Sequence, residues 1–256
     1  MTSSDSRRRC QSTRSLKPVH RRLLFPLTAG LLLLVVGFVA ALVHAELTHL
    51  RHTHGKILDN AAAELSTLLD EQADALAALE EVVLYEPDLP KALAAQDRER
   101  LLADWQPLFE RLRRQHGVTH FYFHRPDRVN LLRVHKPEKH GDLIDRFTAR
   151  EAERTGRRSS GIELGPLGTF TLRVVRPVFD GDQLVGYLEL GKEIEDALAE
   201  IHREHDVELA VCIDKTALDR AQWEAGMQML GRDAQWGRYP DRVFIYSSMP
   251  QFPTEF

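Results

Sequence analysis

The first long pattern in the chain is an uncharged run from Leu23 to Val43, LLFPLTAGLLLLVVGFVAALV, with no polar face. As a helix rising about 1.5 Å per residue it spans roughly 30 Å, the thickness of a bilayer's hydrocarbon core. It predicts a transmembrane helix, because a secretory signal carries only about 7–15 apolar residues. The competing reading is a cleaved signal peptide, for which Val43-His44-Ala45 before Glu46 offers a small-residue site. Beyond the run, Leu47, Leu50, Ile57, Ala61, Leu65, Leu68, Leu76, Leu79 and Val83 recur at spacings of three and four. No Pro or Gly interrupts between Lys56 and Tyr85, and Pro87 stops the pattern. One helix of about 40 residues is expected, its apolar stripe covered either by its own domain or by a second copy of the chain. Residues 97–116 predict a second helix, with Asp97 as N-cap, Leu101, Leu102, Trp105, Leu108, Phe109 and Leu112 as its apolar face, and Gly117 as its stop.

From there the period changes to two. Val118 to His124, Asn130 to His135, Ile162 to Leu164, Phe170 to Phe179 and Leu184 to Gly191 read as strands. The turns between them carry Arg125-Pro126-Asp127, Gly165-Pro166-Leu167-Gly168 and Asp180-Gly181-Asp182. Leu143 to Thr155 is helix-like. A helix from Lys192 to His205, a strand from Val207 to Ile213, a helix from Ala217 to Leu230 and a strand from Arg242 to Ser247 follow. The short connections imply antiparallel neighbours, so the fold class is α+β: an apolar helix continuing into a long helix, then an antiparallel sheet flanked by helices.

Alternation assigns the faces of that sheet. His120, Tyr122 and His124 oppose Phe121 and Phe123, and Arg133 and His135 oppose Leu132 and Val134. Thr171 and Arg173 oppose Leu172 and Val174, and Tyr187 and Glu189 oppose Leu188 and Leu190. One face is apolar. The other either meets water, as antiparallel sheets commonly do, or walls a pocket for a small polar ligand. Its His, Tyr and Arg content favours anionic or zwitterionic ligands. Arg133, His135 and Arg173 are the expected anion contacts, and His120, Tyr122, Tyr187 and Glu189 the lining. Asp142 and Asp145, in the loop shaped by Pro137 and Gly141, are expected as amine acceptors or loop supports; an internal ion pair such as Asp145 with Arg133 is the alternative use of that loop. On this reading Arg133→Ala and Arg173→Ala abolish ligand-induced stabilisation and leave the fold intact.

Charge fixes orientation and narrows the function classes. The formal net charge of -4 argues against nucleic acid as a partner. Seven cations and the single anion Asp5 fall within residues 1–22, so the positive-inside rule places that segment in the cytoplasm and His44 onward outside it. Cys10 and Cys212 then lie on opposite sides of the membrane and form no disulfide; Cys212 is expected as a small core residue. No GxSxG or GxxxxGK motif occurs, and no cofactor or catalytic residue is expected. His49, His52 and His54 read as a helix face, and His202 and His205 as a solvated helix end. His120, His124, His135 and His140 form the best metal candidate, and a metal-binding sensor or enzyme stays open beside the ligand reading. So does a structural adaptor whose polar face is only solvated.

Three segments, Thr119 to Phe147 (THFYFHRPDRVNLLRVHKPEKHGDLIDRF), Ser159 to Glu195 and Lys215 to Arg232, resemble the double Cache extracytoplasmic sensor domains of bacterial chemoreceptors, histidine kinases and diguanylate cyclases. The resemblance covers most of residues 45–250. It implies PAS-like modules with a central antiparallel sheet, a small-molecule ligand in the membrane-distal module, and transmission of a small helix displacement through the membrane. The amino-acid-binding signature of other Cache subtypes is not evident. The expected organisation is a cytoplasmic basic segment 1–22, a transmembrane helix 23–43, a long helix and helical linker 44–116, a membrane-distal sensor module 117–205 and a partial second module 206–256. The chain is expected in the inner membrane as a single-pass sensor, with a homodimer seam along the long helix as the alternative cover for its stripe. It ends without a HAMP, kinase or cyclase region, so the expectation is either the sensory part of a longer receptor or a sensor acting through a partner.

Overall fold

The computed structural model describes residues 25–165, 168–229 and 232–249. The basic segment 1–22 with Cys10, Leu23 and Leu24 of the apolar run, Pro166, Leu167 and Leu230 lie outside the described residues. The described chain falls into two units, one ending at Ile57 and one beginning at Leu58. A single 60-residue helix, α1 (Phe25–Leu84), carries both the apolar run and the long helical period. In the first unit it is long and apolar enough to cross a membrane, and none of its apolar window is buried within the protein.

The second unit continues with α2 (Leu89–Ala94) and α3 (Arg98–His116), then β1 (Val118–His124), β2 (Asn130–Arg133), α4 (Phe147–Thr155), β3 (Ser159–Leu164), β4 (Phe170–Asp180), β5 (Gln183–Glu193) and α5 (Glu195–His205). It closes with β6 (Ala210–Asp214), α6 (Arg220–Met229) and β7 (Arg242–Ser247). The five-stranded sheet has the order β2-β1-β5-β4-β3 with every pair antiparallel, and β6 and β7 form a separate antiparallel pair. The α+β reading of the sequence therefore holds.

The core lies on the sheet's apolar face. Phe121, Phe123, Leu132, Val134, Leu172, Val174, Leu188 and Leu190 join Leu76, Ala77 and Val83 of α1, Leu89 and Leu93 of α2, and Leu101, Trp105, Phe109 and Leu112 of α3 in one buried cluster. Each large apolar side chain buried this way contributes about 1.5–3 kcal/mol. The α3 boundaries are as expected: Asp97 accepts from the Arg100 amide at 3.1 Å, and Gly117 caps the other end with a left-handed φ of 67°.

Several boundaries differ from the sequence reading, each for a local reason. The helix expected from Leu143 starts at Phe147, because Leu143 bridges Val129 while Asn130 exchanges backbone hydrogen bonds with Gly141 and Asp142. Strand β6 starts at Ala210, three residues late. Ahead of it Val207 O accepts from His202 Nδ1, and Leu209 donates to Ser248 Oγ. Helix α6 starts at Arg220, since Asp214 caps a 3₁₀ turn over Lys215–Ala217 first. Helix α2 shows no period because it is only six residues long. Cys212 is exposed rather than a core residue: the inner face of β6 is held by Ile213, and Cys212 points the other way.

The β6–β7 pair and α6 build a smaller core from Ile213, Trp223, Met227, Val243 and Ile245, against which Leu164 and Phe170 pack from the β3–β4 hairpin. Gly168 in that hairpin has φ +79°, and a Cβ there would lie 2.3 Å from Trp223 Cδ1. Gly168→Ala is therefore expected to cost about 1–3 kcal/mol through left-handed strain and overpacking, read as a lowered thermal midpoint. An unchanged midpoint would show that the hairpin does not press on Trp223.

Candidate functional site

Strand register gathers the polar side chains into rows, because directly paired residues share a face. Tyr122 pairs with Arg133 on one side and with Glu189 on the other, and Glu189 pairs with Val175. In the next row His120, Gly191 and Arg173 are neighbours, and Gly161 follows Arg173 on β3. Gly191 is needed there: a Cβ at that position would stand 3.0 Å from Thr171 Cγ2 and 3.2 Å from His120 Cβ. The glycine opens the row so that the Arg173 side chain can lie across the sheet.

Glu189, fully buried on β5, is the hub. Its carboxylate accepts from Arg173 Nη1 at 2.5 Å, from Arg146 Nη2 at 2.6 and 2.7 Å, and from His124 Nε2 at 2.8 Å. The chain of bonds extends outward. Asn130 Nδ2 donates to His124 Nδ1 at 3.3 Å, and Arg133 Nη1 donates to Asn130 Oδ1 at 3.2 Å. With Nδ1 an acceptor and Nε2 a donor, His124 fits the network as a neutral ring. Burial lowers its pKa despite the Glu189 carboxylate, in agreement with that tautomer. Burial alone would raise Glu189, but the Arg146 and Arg173 guanidiniums and His124 hold it well below the ordinary carboxylate range.

Glu163 on β3 adds a second anchor. Its Oε1 accepts from the amide and hydroxyl of Thr148 at the start of α4, and its Oε2 lies 3.0 Å from Arg146 Nε. That approach is off the hydrogen-bond direction, so Arg146 Nε, Arg173 Nε and Glu163 Oε2 are all buried without a hydrogen-bond partner. Three guanidiniums, of Arg133, Arg146 and Arg173, also stand 5.3, 5.5 and 5.7 Å from the centroid of the Tyr122 ring.

Above this network is a cavity of about 490 Å³. Its floor is His120, Tyr122, Arg133, His135 and Arg173. One wall is the loop from Lys136 through Asp142 to Arg146. The remainder comes from Leu164, Gly165 and Thr169 of the β3–β4 hairpin and from Ala217, Leu218, Asp219 and Gln222 of the C-terminal part. His135 Nδ1 accepts from the Phe121 amide at 3.3 Å, which leaves Nε2 as the donor. Burial, with the Arg133 and Arg173 charges nearby, pushes its pKa down to about 4. Burial and Arg173 likewise hold His120 well below the ordinary histidine range. Both rings are neutral at physiological pH, so the cavity's cationic character rests on its guanidiniums and on Lys136 and Lys139.

Of the residues singled out from the sequence, His120, Tyr122, Arg133, His135, Asp142, Asp145 and Arg173 line this cavity, and Tyr187 and Glu189 do not. Tyr187 is buried with Val175 and Ala152, beneath α4, and Glu189 lies under the floor. Arg133 grips Asp142 with two bonds of 2.7 and 2.6 Å and also donates to Lys139 O, so the loop's internal pair uses Asp142 and not Asp145. Asp145 turns to Arg128 at 3.3 Å and Arg150 at 3.8 Å. Arg173 is 1% exposed. Because this side chain is buried and bonded to Glu189, Arg173→Ala is expected to destabilise the fold, where the sequence alone led to the expectation of an intact one.

The sequence reading missed Arg146, Glu163, Asp219 and Gln222. Glu163 was detectable as the polar position between Ile162 and Leu164, but its meeting with Thr148 depends on how α4 crosses the sheet. His140 is exposed, and among the described residues no group of His, Cys, Asp and Glu is arranged to hold a metal ion.

A family model described as "Double sensory domain of two-component sensor kinase" matches residues 56–234. Among solved structures, the sensor domain of the Vibrio cholerae histidine kinase DctB matches with a TM-score of 0.50 at 14% identity, covering 64% of this chain and 62% of that one. The Escherichia coli DcuS sensor domain matches with a TM-score of 0.44 at 17% identity, over 52% of this chain and 97% of that one. The ligand-binding domain of the Campylobacter jejuni chemoreceptor Tlp3 in complex with L-valine matches with a TM-score of 0.33 at 14% identity, over 61% and 71%. No curated protein matches the chain.

Proposed function

The chain belongs to the family of double Cache sensory domains, and from that premise we propose that it is the extracytoplasmic receiver of a membrane signalling protein, binding a small carboxylate-bearing ligand, anionic or zwitterionic, in the polar-face cavity. The observation that carries this reading is the cavity itself. About 490 Å³ of space stands over a sheet face where Arg146 and Arg173 are fixed by the buried Glu189 and Arg133 by Asp142, beside a histidine held as an Nε2 donor. Solvated sheet faces carry no such concave, hydrogen-bonded array, whereas small-ligand sites do. A preorganised site of this kind binds anions with little further ordering of its own side chains.

The apolar part of α1 supports membrane anchoring, and the cations ahead of it support a cytoplasmic N-terminus. Signalling requires that ligand bind one arrangement of the protein more tightly than another, and about 1–3 kcal/mol of such coupling gives a usable response. The role is sensory and no catalytic residue is assigned.

His135→Ala tests the site without removing the buried hub. Loss of its donor is expected to weaken binding of a carboxylate ligand about tenfold, the effect of one hydrogen bond to a charged group. Titration calorimetry of the full chain in nanodiscs, against carboxylates and amino acids, reads this directly. Equal affinities for the two proteins would remove His135 from the site.

A further inference from the structure

We propose that Glu80, Glu81 and Arg176 form a proton-operated switch at the seam between α1 and the sheet, giving the receiver a second input that does not depend on the cavity.

The seam is built from apolar side chains around one polar point. Leu76, Ala77 and Val83 of α1 share a buried cluster with Leu172, Val174 and Val178 of β4. Alternation along β4 puts Arg176 on the face of Val174 and Val178, opposite the cavity-floor residue Arg173. Helical spacing puts Glu80 in the middle of the α1 stripe, one turn from both Leu76 and Val83. A carboxyl placed there has no exposed surface, and its Oε1 has no hydrogen-bond partner. Packing alone gives no reason for it, since an apolar residue fills such a stripe without the cost of burying an acid.

One guanidinium serves two carboxylates on successive residues of α1. Arg176 Nη1 donates to Glu81 Oε1 at 2.5 Å, while its Nε reaches Glu80 Oε2 only at 3.4 Å. That lean toward Glu81 is the arrangement expected of a neutral Glu80. From β5, Glu189 adds a like charge through the sheet, and among the described residues no charged side chain of α2 or α3 is buried. Burial, opposed by Arg176 and assisted by Glu189, pushes the Glu80 pKa up to about 8.

Once Glu80 ionises, the two carboxylates compete for Arg176. Glu81 is 64% exposed, so water replaces Arg176 as its partner; the buried Glu80 has no such substitute and draws the guanidinium inward. Successive helical residues point about 100° apart around the axis. Passing Arg176 from Glu81 to Glu80 therefore biases α1 to turn relative to β4. Two discrete partners for one guanidinium make a two-state element, and the proton sets which state is favoured. The element that moves is the helix that also carries the apolar run.

Infrared pH titration of the full chain in nanodiscs reads the switch, because a protonated carboxyl and a carboxylate absorb at different frequencies. The carboxyl band that Glu80→Gln removes is expected to disappear in the wild type with a midpoint of about 8. Glu81→Gln frees Arg176 for Glu80 and is expected to lower that midpoint by at least about one pH unit, the effect of bringing an opposite charge into contact. A midpoint that does not move overturns the proposal. The helix motion is read from the distance between spin labels at the exposed Val82 of α1 and the exposed Asp182 of the β4–β5 turn, in a chain carrying Cys10→Ser and Cys212→Ser. That distance is expected to change through the same midpoint and to stay fixed when Glu80→Gln is added. A distance that is constant through the midpoint overturns the switch even where Glu80 titrates. Carboxylate binding in the cavity, measured through His135→Ala, stands or falls separately from both outcomes.

Discussion

Replacing Glu189 with alanine is expected to destabilise the protein by about 3–5 kcal/mol, the usual cost of leaving buried charge uncompensated. The carboxylate has no exposed surface and is the common acceptor for Arg146, Arg173 and His124. Without it two guanidiniums lose their hydrogen-bonded carboxylate and keep only Glu163 Oε2, 3.0 Å from Arg146 Nε and 3.8 Å from Arg173 Nε. Glu189→Gln keeps the shape but removes the charge, and is expected to recover part of the loss. Denaturant unfolding with a near-ultraviolet circular dichroism readout measures both variants. A loss below about 1 kcal/mol for the alanine would mean that water reaches the network and that Glu189 is not its hub.

A second large effect is a pH dependence with the opposite sign to ordinary acid unfolding. Glu80 on α1 is fully buried; Arg176 Nε reaches its Oε2 at 3.4 Å, and its Oε1 has no partner. Burial pushes its pKa from 4.5 up to about 8, with Arg176 opposing and Glu189 adding to the rise. The native state therefore holds a proton that the unfolded chain releases above pH 4.5. Stability from this group is complete below pH 4.5, falls as pH rises toward 8 and is level beyond it. At about 1.4 kcal/mol per unit, the span amounts to roughly 3–5 kcal/mol. Glu189 and Asp142, both held low, do the reverse and lose stability only as pH falls through the acid range. Glu80→Gln isolates the effect: the difference in unfolding free energy from wild type is expected to grow steadily from pH 5 to pH 8. A difference that stays flat across that range would mean that Glu80 is ionised in the native protein.

Much of the fold was legible because its periods are long. The apolar run, the stripe from Leu47 to Val83 and the alternation in β1, β4 and β5 each repeat often enough to define an element. The sheet faces were legible for the same reason: His120, Tyr122, Arg133 and Arg173 fall where alternation puts them. Partners across space were not. Arg133 with Asp142 and Arg146 with Glu189 depend on strand register and on the path of the 134–146 loop, and neither has a local signature. Tyr187 and Glu189 have the right face but the wrong depth, since α4 covers one end of that face and leaves the other open. Asp219 lies 46 residues beyond Arg173 in sequence, and the packing of Leu164, Gly168 and Phe170 against the Trp223 core brings its segment to the cavity.

The most direct measurement is a crystal structure of the chain with whichever amino acid or carboxylate stabilises it most in a thermal-shift screen. A ligand present at a hundredfold excess over its dissociation constant raises apparent stability by about 2.7 kcal/mol, so a true ligand is visible in such a screen. The account predicts the compound over Tyr122, with its carboxylate at Arg173 and His135. A compound bound instead in the separate cavity beside Gln72, Lys192 and Asp196 would contradict it.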